Sequence, residues 1–274
     1  MKKRHFQKRL VTDDAGRGLS GDQGSSLVRY LLLAFGISWI SWGLEAILVK
    51  VTSLTATHPL ALALFIFGGF GPTIAGLSMI EGGVKLIKVR KLLFRGNKGG
   101  LSLLFMALVL ETVILTFLSR GIKPGIPKSP MLIPVVLAIL IMASFLFGGN
   151  EEIGWRGTMQ PILRKKFSEI PAFLLVGIVW VSWHIPLWFI EGNSHQLQPF
   201  LPFAIFGICL SAWLSLIYKR SGALIYPMLF HGWTNTLLGV LSFEENILYY
   251  VSIISITSLL LYWDKMSTKE RKNE

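Results

Sequence analysis

Five of the ionisable side chains that lie within or beside long apolar stretches of this sequence could act together. They are Glu151, Glu152, Arg156, His184 and His231. An ionisable group at the centre of a bilayer costs at least about 2.5 kcal/mol, so a chain rarely keeps one there without a use. Carboxylates and imidazoles can transfer protons or bind a metal ion. The five residues therefore predict an acid/base or metal site inside a membrane.

Helical spacing decides which of these side chains can face one point. Residues four apart share a helix face, which pairs His231 with Asn235 and Glu152 with Arg156. Glu151 is turned by about 100° from Glu152, so Glu151 can face a cavity while Glu152 pairs with Arg156. Spacing alone also allows the reverse assignment of the two carboxylates.

The composition indicates a membrane protein. Of the 274 residues, 52% are hydrophobic and only 15% are charged, which is unusual for a soluble domain. The formal net charge is +12, but the basic residues cluster between apolar runs, so no nucleic-acid partner is expected. The single cysteine, Cys209, leaves no intramolecular disulfide and no cysteine-based zinc site.

Eight apolar segments come close to the length that crosses a bilayer, which is about 20 residues. They predict an all-α fold, a polytopic transmembrane helix bundle with about eight spanning helices and no β pattern. The segments are 28–49, 60–81, 101–118, 131–153, 171–190, 200–218, 223–242 and 246–263.

The distribution of positive charge predicts the orientation of this bundle. Most of the 27 Lys and Arg residues fall before the first segment and between alternate segments after it. Basic loops stay in the cytoplasm, so both termini are predicted to be cytoplasmic in a multi-pass protein of the cell membrane. The predicted organisation is a basic, flexible tail at 1–26, a transmembrane domain at 27–264 and a basic tail at 265–274.

The polar segments can meet in one layer only if the fourth helix is long. If it ended at Glu151, this carboxylate would lie at the surface, away from the histidines. If it continues to residues 164–166, with a kink at Pro161, Glu151 lies about 20 Å in, His184 about 27 Å and His231 about 17 Å. Helix tilt can absorb the difference.

Each polar pair also has a purely structural interpretation. Glu152 and Arg156 can form a buried ion pair, and His231 and Asn235 can link helices by hydrogen bonds. His184, which precedes Ile185 and Pro186, can be a helix-end residue that is hydrogen-bonded to a carbonyl. His195 lies in a polar loop between two apolar segments, where we expect its side chain to be solvated.

Three motifs in a fixed order carry a family resemblance. They are Glu-Glu-x-x-x-Arg at 151–156, Trp-x-x-x-His at 180–184 and His-x-x-x-Asn at 231–235. This order resembles the CPBP family of intramembrane proteases, which comprises type II CAAX prenyl endopeptidases and bacteriocin-processing or Abi proteins. The resemblance covers the region 145–240. Trp180 stands where phenylalanine is common in the family.

The resemblance implies hydrolysis of a peptide bond inside the membrane. By similarity, Glu151 would activate a water that His184 orients. The residues that would stabilise the oxyanion are His231 and Asn235. The residues that would organise the site are Glu152 and Arg156.

The sequence does not decide whether the site uses a metal cofactor. Glu151, His184 and His231 could hold a catalytic zinc ion with a water as the fourth ligand, and the family is often labelled metalloprotease. A glutamate-dependent mechanism without a metal ion explains the same residues.

The substrate and two other functions are also open. The expected partners are the lipid bilayer and a membrane-associated peptide or lipidated protein, either prenylated and CAAX-type or bacteriocin- or pheromone-type. A non-catalytic member of the family, serving bacteriocin self-immunity or scaffolding, would share the motifs. A transporter coupled to protons or metal ions would also use buried Glu and His.

Overall fold

The computed structural model describes residues 23–80, 83–126, 131–243 and 247–273. The predicted N-terminal tail lies outside these residues up to position 22. The first helix begins at Gln23, and the last continues to Asn273 through the predicted C-terminal tail.

Helices make up most of the described chain. The α-helices are α1 Gln23–Val51, α2 Pro59–Gly69, α3 Gly71–Ser78, α4 Leu86–Phe94, α5 Lys98–Leu118, α6 Leu132–Phe145, α7 Glu152–Gly154, α8 Gln160–Arg164, α9 Glu169–Trp183, α10 Phe200–Ser221, α11 Ile225–Val240 and α12 Ile247–Asn273. Shorter helical turns are Gly149–Glu151, Ile185–Phe189 and Ser194–Leu197 (3-10) and Trp155–Met159 (π).

The lengths and apolarity of these helices confirm an all-α polytopic membrane bundle. Among the described residues, six helical stretches are long and apolar enough to cross a membrane. The pair α2 and α3, bent by 41°, makes a seventh if it is one span. The part of the chain that the structure describes thus has six or seven candidate spans, where the sequence predicts eight. The difference is α11, whose 16 residues are fewer than a full crossing needs.

The fourth span is long, as convergence of the polar residues requires. Leu132–Arg164 forms one stretch of 33 residues, but it is not a straight α-helix. In place of a kink at Pro161, the helix widens just before it, and the amide of Gln160 bonds the carbonyl of Trp155, five residues back. Pro161 has no amide hydrogen for the carbonyl of Gly157, so a regular turn cannot close there. Such π turns often occur at functional sites.

The backbones of α3 and α7 approach each other closely, which fixes the position of the segment that carries Glu151 and Glu152. A Cβ on Gly154 in α7 would lie 2.6 Å from the carbonyl carbon of Pro72 in α3 and 2.6 Å from Tyr30 Oη. A Cβ on Gly76, one turn further along α3, would lie 3.0 Å from Gly154 Cα. Glycine at both positions therefore lets α3 contact α7 directly.

We expect Gly154→Ala to lower stability by about 1–3 kcal/mol, because the atoms that the methyl group meets include a backbone carbonyl that cannot move aside. The matched control is Gly43→Ala in α1, where an added Cβ has no neighbour within 4 Å. Thermal unfolding of the purified protein in detergent measures both. Equal unfolding midpoints for Gly154→Ala and the control would contradict the packing argument.

At one end of the bundle, the connecting segments that carry basic residues contact neighbouring helices. Asn97, between α4 and α5, donates a hydrogen bond of 2.8 Å to the carbonyl of Arg220 at the end of α10. Lys219 contacts Glu169 at the start of α9 and lies 2.5 Å from Asp264 in α12. The connections that the sequence predicts on one side of the membrane therefore lie together. Which side that is stays a prediction.

A short antiparallel strand pair ties the ends of α5 and α11 together. β1, Ser119–Ile122, pairs with β2, Leu241–Phe243, with Ser119 opposite Phe243. The sequence predicts no β structure. These few residues are a local addition to the helical bundle.

Candidate active site

The candidate site forms where α6 ends. Gly148 has φ +127°, a backbone conformation that favours glycine. A Cβ at this position would lie 2.5 Å from Asn235 Nδ2 and 2.9 Å from His231 Nε2. Because Gly148 has no side chain, its backbone lies directly beside two polar groups of α11.

Glu151 is buried and held through one oxygen. Its Oε2 accepts hydrogen bonds from Trp180 Nε1 at 2.7 Å and from Trp155 Nε1 at 3.3 Å. No described residue donates a hydrogen bond to Oε1. One carboxylate oxygen is thus fixed by two indoles, and the other can take a ligand or a proton.

Glu152 belongs to a fully buried charged network. Arg156 Nη1 lies 3.1 Å from both carboxylate oxygens of Glu152, and His231 Nδ1 lies 2.8 Å from Oε1. Arg156 Nη2 donates to the carbonyl of Ser211 at 3.1 Å and to its Oγ at 2.8 Å. Of the two assignments that spacing allows, the structure therefore has Glu152 in the ion pair and Glu151 outside it.

Hydrogen-bond chemistry assigns a hydrogen to one nitrogen of each histidine. His184 Nδ1 lies 2.8 Å from the carbonyl of Trp180, and a carbonyl can only accept. His184 Nδ1 therefore carries the hydrogen, and Nε2 of the neutral ring has a free lone pair. The Nδ1 of His231 faces the carboxylate of Glu152, so its Nε2 also points away from that partner.

Asn235 completes the group on α11. It is half-buried, and its Nδ2 donates to the carbonyl of Phe147 at 2.8 Å. An amide nitrogen has two hydrogens, so a second N–H is left for another acceptor. His231 Nε2 and this amide both border Gly148.

Trp180 is the residue whose importance the sequence analysis missed. Its ring centroid is 5.0 Å from that of His184 and 5.4 Å from that of His231, edge to face in both cases. The guanidinium carbon of Arg156 lies 5.9 Å from the ring, and the indole N–H bonds Glu151. The departure from phenylalanine in the second motif was the available signal, because phenylalanine has no N–H to donate.

His195 is placed differently from the expectation of a solvated residue. Its ring is half-buried and stacks at 6.0 Å from His184, with Trp188 at 4.9 Å and Phe203 at 5.4 Å. Burial lowers the pKa of His195 to about 4, so the ring is neutral at neutral pH. The loop that carries His195 thus packs against the ring of His184, a contact that loop polarity alone does not indicate.

The candidate zinc ligands do not form a metal-binding group. Within the ranges that the structure describes, no three His, Cys, Asp or Glu side chains are grouped so that they could hold a metal ion. The indole of Trp180 lies against both His184 and His231 and bonds Glu151. This arrangement does not fit a zinc ion.

The fold and the site together define a class. This is a multi-pass integral membrane protein with carboxylate, imidazole and amide groups gathered among its helices. Residues 132–237 match the family described as Type II CAAX prenyl endopeptidase Rce1-like. All three motifs fall in this range. This match confirms the resemblance seen in the motifs.

One curated relative supports the same family. The protein named CAAX prenyl protease 2 from Methanococcus maripaludis is 29% identical to this chain over 184 residues. The aligned part is 60% of this chain and 65% of that relative, so this chain spans only part of the relative's length.

Proposed function

We propose that this chain is an intramembrane endopeptidase that cleaves a peptide bond of a membrane-associated substrate with a water activated by Glu151. The observation that supports this most directly is the state of Glu151, whose Oε2 is fixed by Trp180 and Trp155. Its Oε1 has no hydrogen-bond donor among the described residues. A carboxylate oriented in this way can serve as a general base.

The first chemical step uses Glu151 and His184. Glu151 Oε1 takes a proton from the water while the water oxygen bonds to the carbonyl carbon of the peptide. The π electron pair of the carbonyl moves to its oxygen. His184 Nε2 accepts the other hydrogen of the same water and so fixes its orientation, because Nδ1 is occupied by the carbonyl of Trp180.

The oxyanion that forms is stabilised from α11. Asn235 offers its second amide N–H, and His231 Nε2 donates when the ring is protonated, with Glu152 as the partner of Nδ1. Collapse of the tetrahedral intermediate re-forms the carbonyl and breaks the carbon–nitrogen bond. Glu151 returns its proton to the leaving nitrogen, which yields a carboxylic acid and an amine.

The location of the site limits the class of substrate. The site lies among spanning helices, so the cleaved peptide must be held at or in the membrane. Because the relative is named a CAAX prenyl protease, we propose a prenylated CAAX-type carboxyl terminus first and a bacteriocin- or pheromone-type peptide second.

The test is cleavage of a panel of membrane-associated peptides, prenylated and unprenylated, by the purified protein in detergent. Mass spectrometry identifies the products. We expect cleavage by the wild type, a loss of at least about 100-fold in His231→Ala because an oxyanion donor is removed, and no effect of a zinc chelator. The control is His58→Ala in the loop before α2.

Each other outcome has a definite meaning. Equal cleavage by His231→Ala and the control would reject the site, and inhibition by the chelator would reject the metal-free mechanism. If no peptide is cleaved while proteoliposomes show transport, the protein is a transporter. If neither activity is found but cells keep an immunity phenotype, it is a non-catalytic member of the family.

We further expect Trp180→Phe to lower kcat by about 10–100-fold with little change in KM, because a hydrogen bond to a charged group is worth about 1.5–3 kcal/mol. Phenylalanine keeps an aromatic ring between the histidines but cannot donate to Glu151. Trp213→Phe is the matched control, since its buried indole N–H bonds Thr257 Oγ1 at 2.8 Å. Steady-state kinetics of both variants would show the difference. An unchanged kcat in Trp180→Phe would mean that the indole of Trp180 contributes only packing contacts.

A further inference from the structure

Helix α4 lies on the surface, at the end of the bundle where the basic connecting segments lie together. It has nine residues, Leu86–Phe94, and belongs to no candidate span. From residue 83 to residue 100 the sequence contains six basic residues and no acidic residue. The adjoining Asn97 bonds the carbonyl of Arg220, which places α4 beside the basic end of α10.

One side of α4 is anchored to the protein. Leu92 and Leu93 pack against the small cluster of Tyr218, Leu224 and Met228. The carbonyl of Leu92 accepts a hydrogen bond from the amide of Leu224 at 3.1 Å. These contacts fix the rotation of the helix about its axis, and they decide which side chains face outward.

The outward side combines an apolar ridge with flanking cations. Ile87 and Phe94 are seven residues apart, so they share a face, and they are 56% and 60% exposed. At 100° per residue, Arg90 and Lys91 fall on either side of this ridge. Both are exposed, as is Lys85 just before the helix.

We propose that α4 lies in the membrane interface and binds anionic phospholipid headgroups, with Ile87 and Phe94 inserted towards the acyl chains. Both features suit the membrane interface. The apolar ridge is removed from water there, and the flanking cations can contact lipid phosphates. The helix is attached to a transmembrane bundle, so a lipid surface is already beside it.

The positive charges of α4 and its flanks favour acidic lipids over zwitterionic ones. Each Lys or Arg near an anionic membrane surface adds about 1 kcal/mol to the attraction, and Lys85, Arg90 and Lys91 add together. No carboxylate within 83–100 opposes them. The proposal does not depend on hydrolysis, so it stands or fails separately from the proposed protease activity.

The test measures lipid retained by the full-length protein. Protein from nanodiscs of equal phosphatidylglycerol and phosphatidylcholine is transferred to mild detergent and washed, and the two lipids are counted by mass spectrometry. We expect the wild type to retain phosphatidylglycerol in excess. Removing the charges of Lys85, Arg90 and Lys91 by substitution with Gln should lower this excess by at least about tenfold.

The control removes the same charge elsewhere at the same end, with Lys165, Lys166 and Lys265 changed to Gln. This control should keep the excess. A wild-type measurement at high salt needs no variant and should also reduce the excess, because screening weakens attraction between exposed charges. Equal retention of the two lipids by the wild type would overturn the proposal, and so would an undiminished excess after the three α4-region substitutions.

Discussion

Replacing Glu151 with glutamine should slow peptide cleavage by about 10²–10⁴-fold while the protein stays folded. Glutamine keeps the size of the side chain, and its oxygen can still accept a hydrogen bond from Trp180. It cannot take a proton from water, so only the base is lost. The measurement is the cleavage rate of purified variants on one substrate, with thermal unfolding as a check of folding.

The matched control for this change is Glu45→Gln in α1, a carboxyl that is only 1% exposed and has no place in the proposed mechanism. Its cleavage rate should stay near that of the wild type. Glu152→Gln tests the assignment of the base directly. If Glu151→Gln kept its activity and Glu152→Gln lost it, Glu152 would be the base.

Arg156→Met should destabilise the protein by about 3–5 kcal/mol, because it leaves the buried carboxylate of Glu152 without its cation. Arg156 and Glu152 have no exposed surface, and the guanidinium also bonds Ser211 of α10. We expect a lower unfolding midpoint in detergent together with loss of cleavage. Arg156→Lys should recover part of the stability, since it restores the charge but not the paired bonds to Ser211.

The control for Arg156 is an exposed ion pair of the same kind. Arg164 lies 2.8 Å from Glu169, but the two side chains are 36% and 33% exposed. Arg164→Gln should therefore cost less than about 1 kcal/mol, because solvent screens exposed pairs. If Arg156→Met were no worse than Arg164→Gln, the buried network would not hold the site together.

The apolar segments were the most predictable part of the fold. Runs near the thickness of a bilayer identify helices without any knowledge of their neighbours, and each predicted segment overlaps a helix of the structure. The requirement that the fourth helix be long was also met by Leu132–Arg164. Spacing of four residues paired Glu152 with Arg156 correctly, because that contact is local.

Contacts between distant parts of the chain could not be predicted from the sequence. The bonds from Arg156 to Ser211 and between His231 and Glu152 join residues of different helices. The place of Trp180 among the polar groups depends on the relative rotation of α6, α9 and α11. The burial of His195 likewise follows from packing against Phe203, which loop composition does not reveal.

The pairing of Glu152 and Arg156 within one segment has a consequence for biosynthesis. Leu132–Arg164 is translated before α9, α10 and α11, so it meets the bilayer before Ser211 and His231 exist. A contact between residues four apart needs only the helix itself, so these two charges can neutralise each other during membrane insertion. The segment then carries only the carboxyl of Glu151 and the terminal Arg164 unpaired, where it would otherwise carry four separate charges.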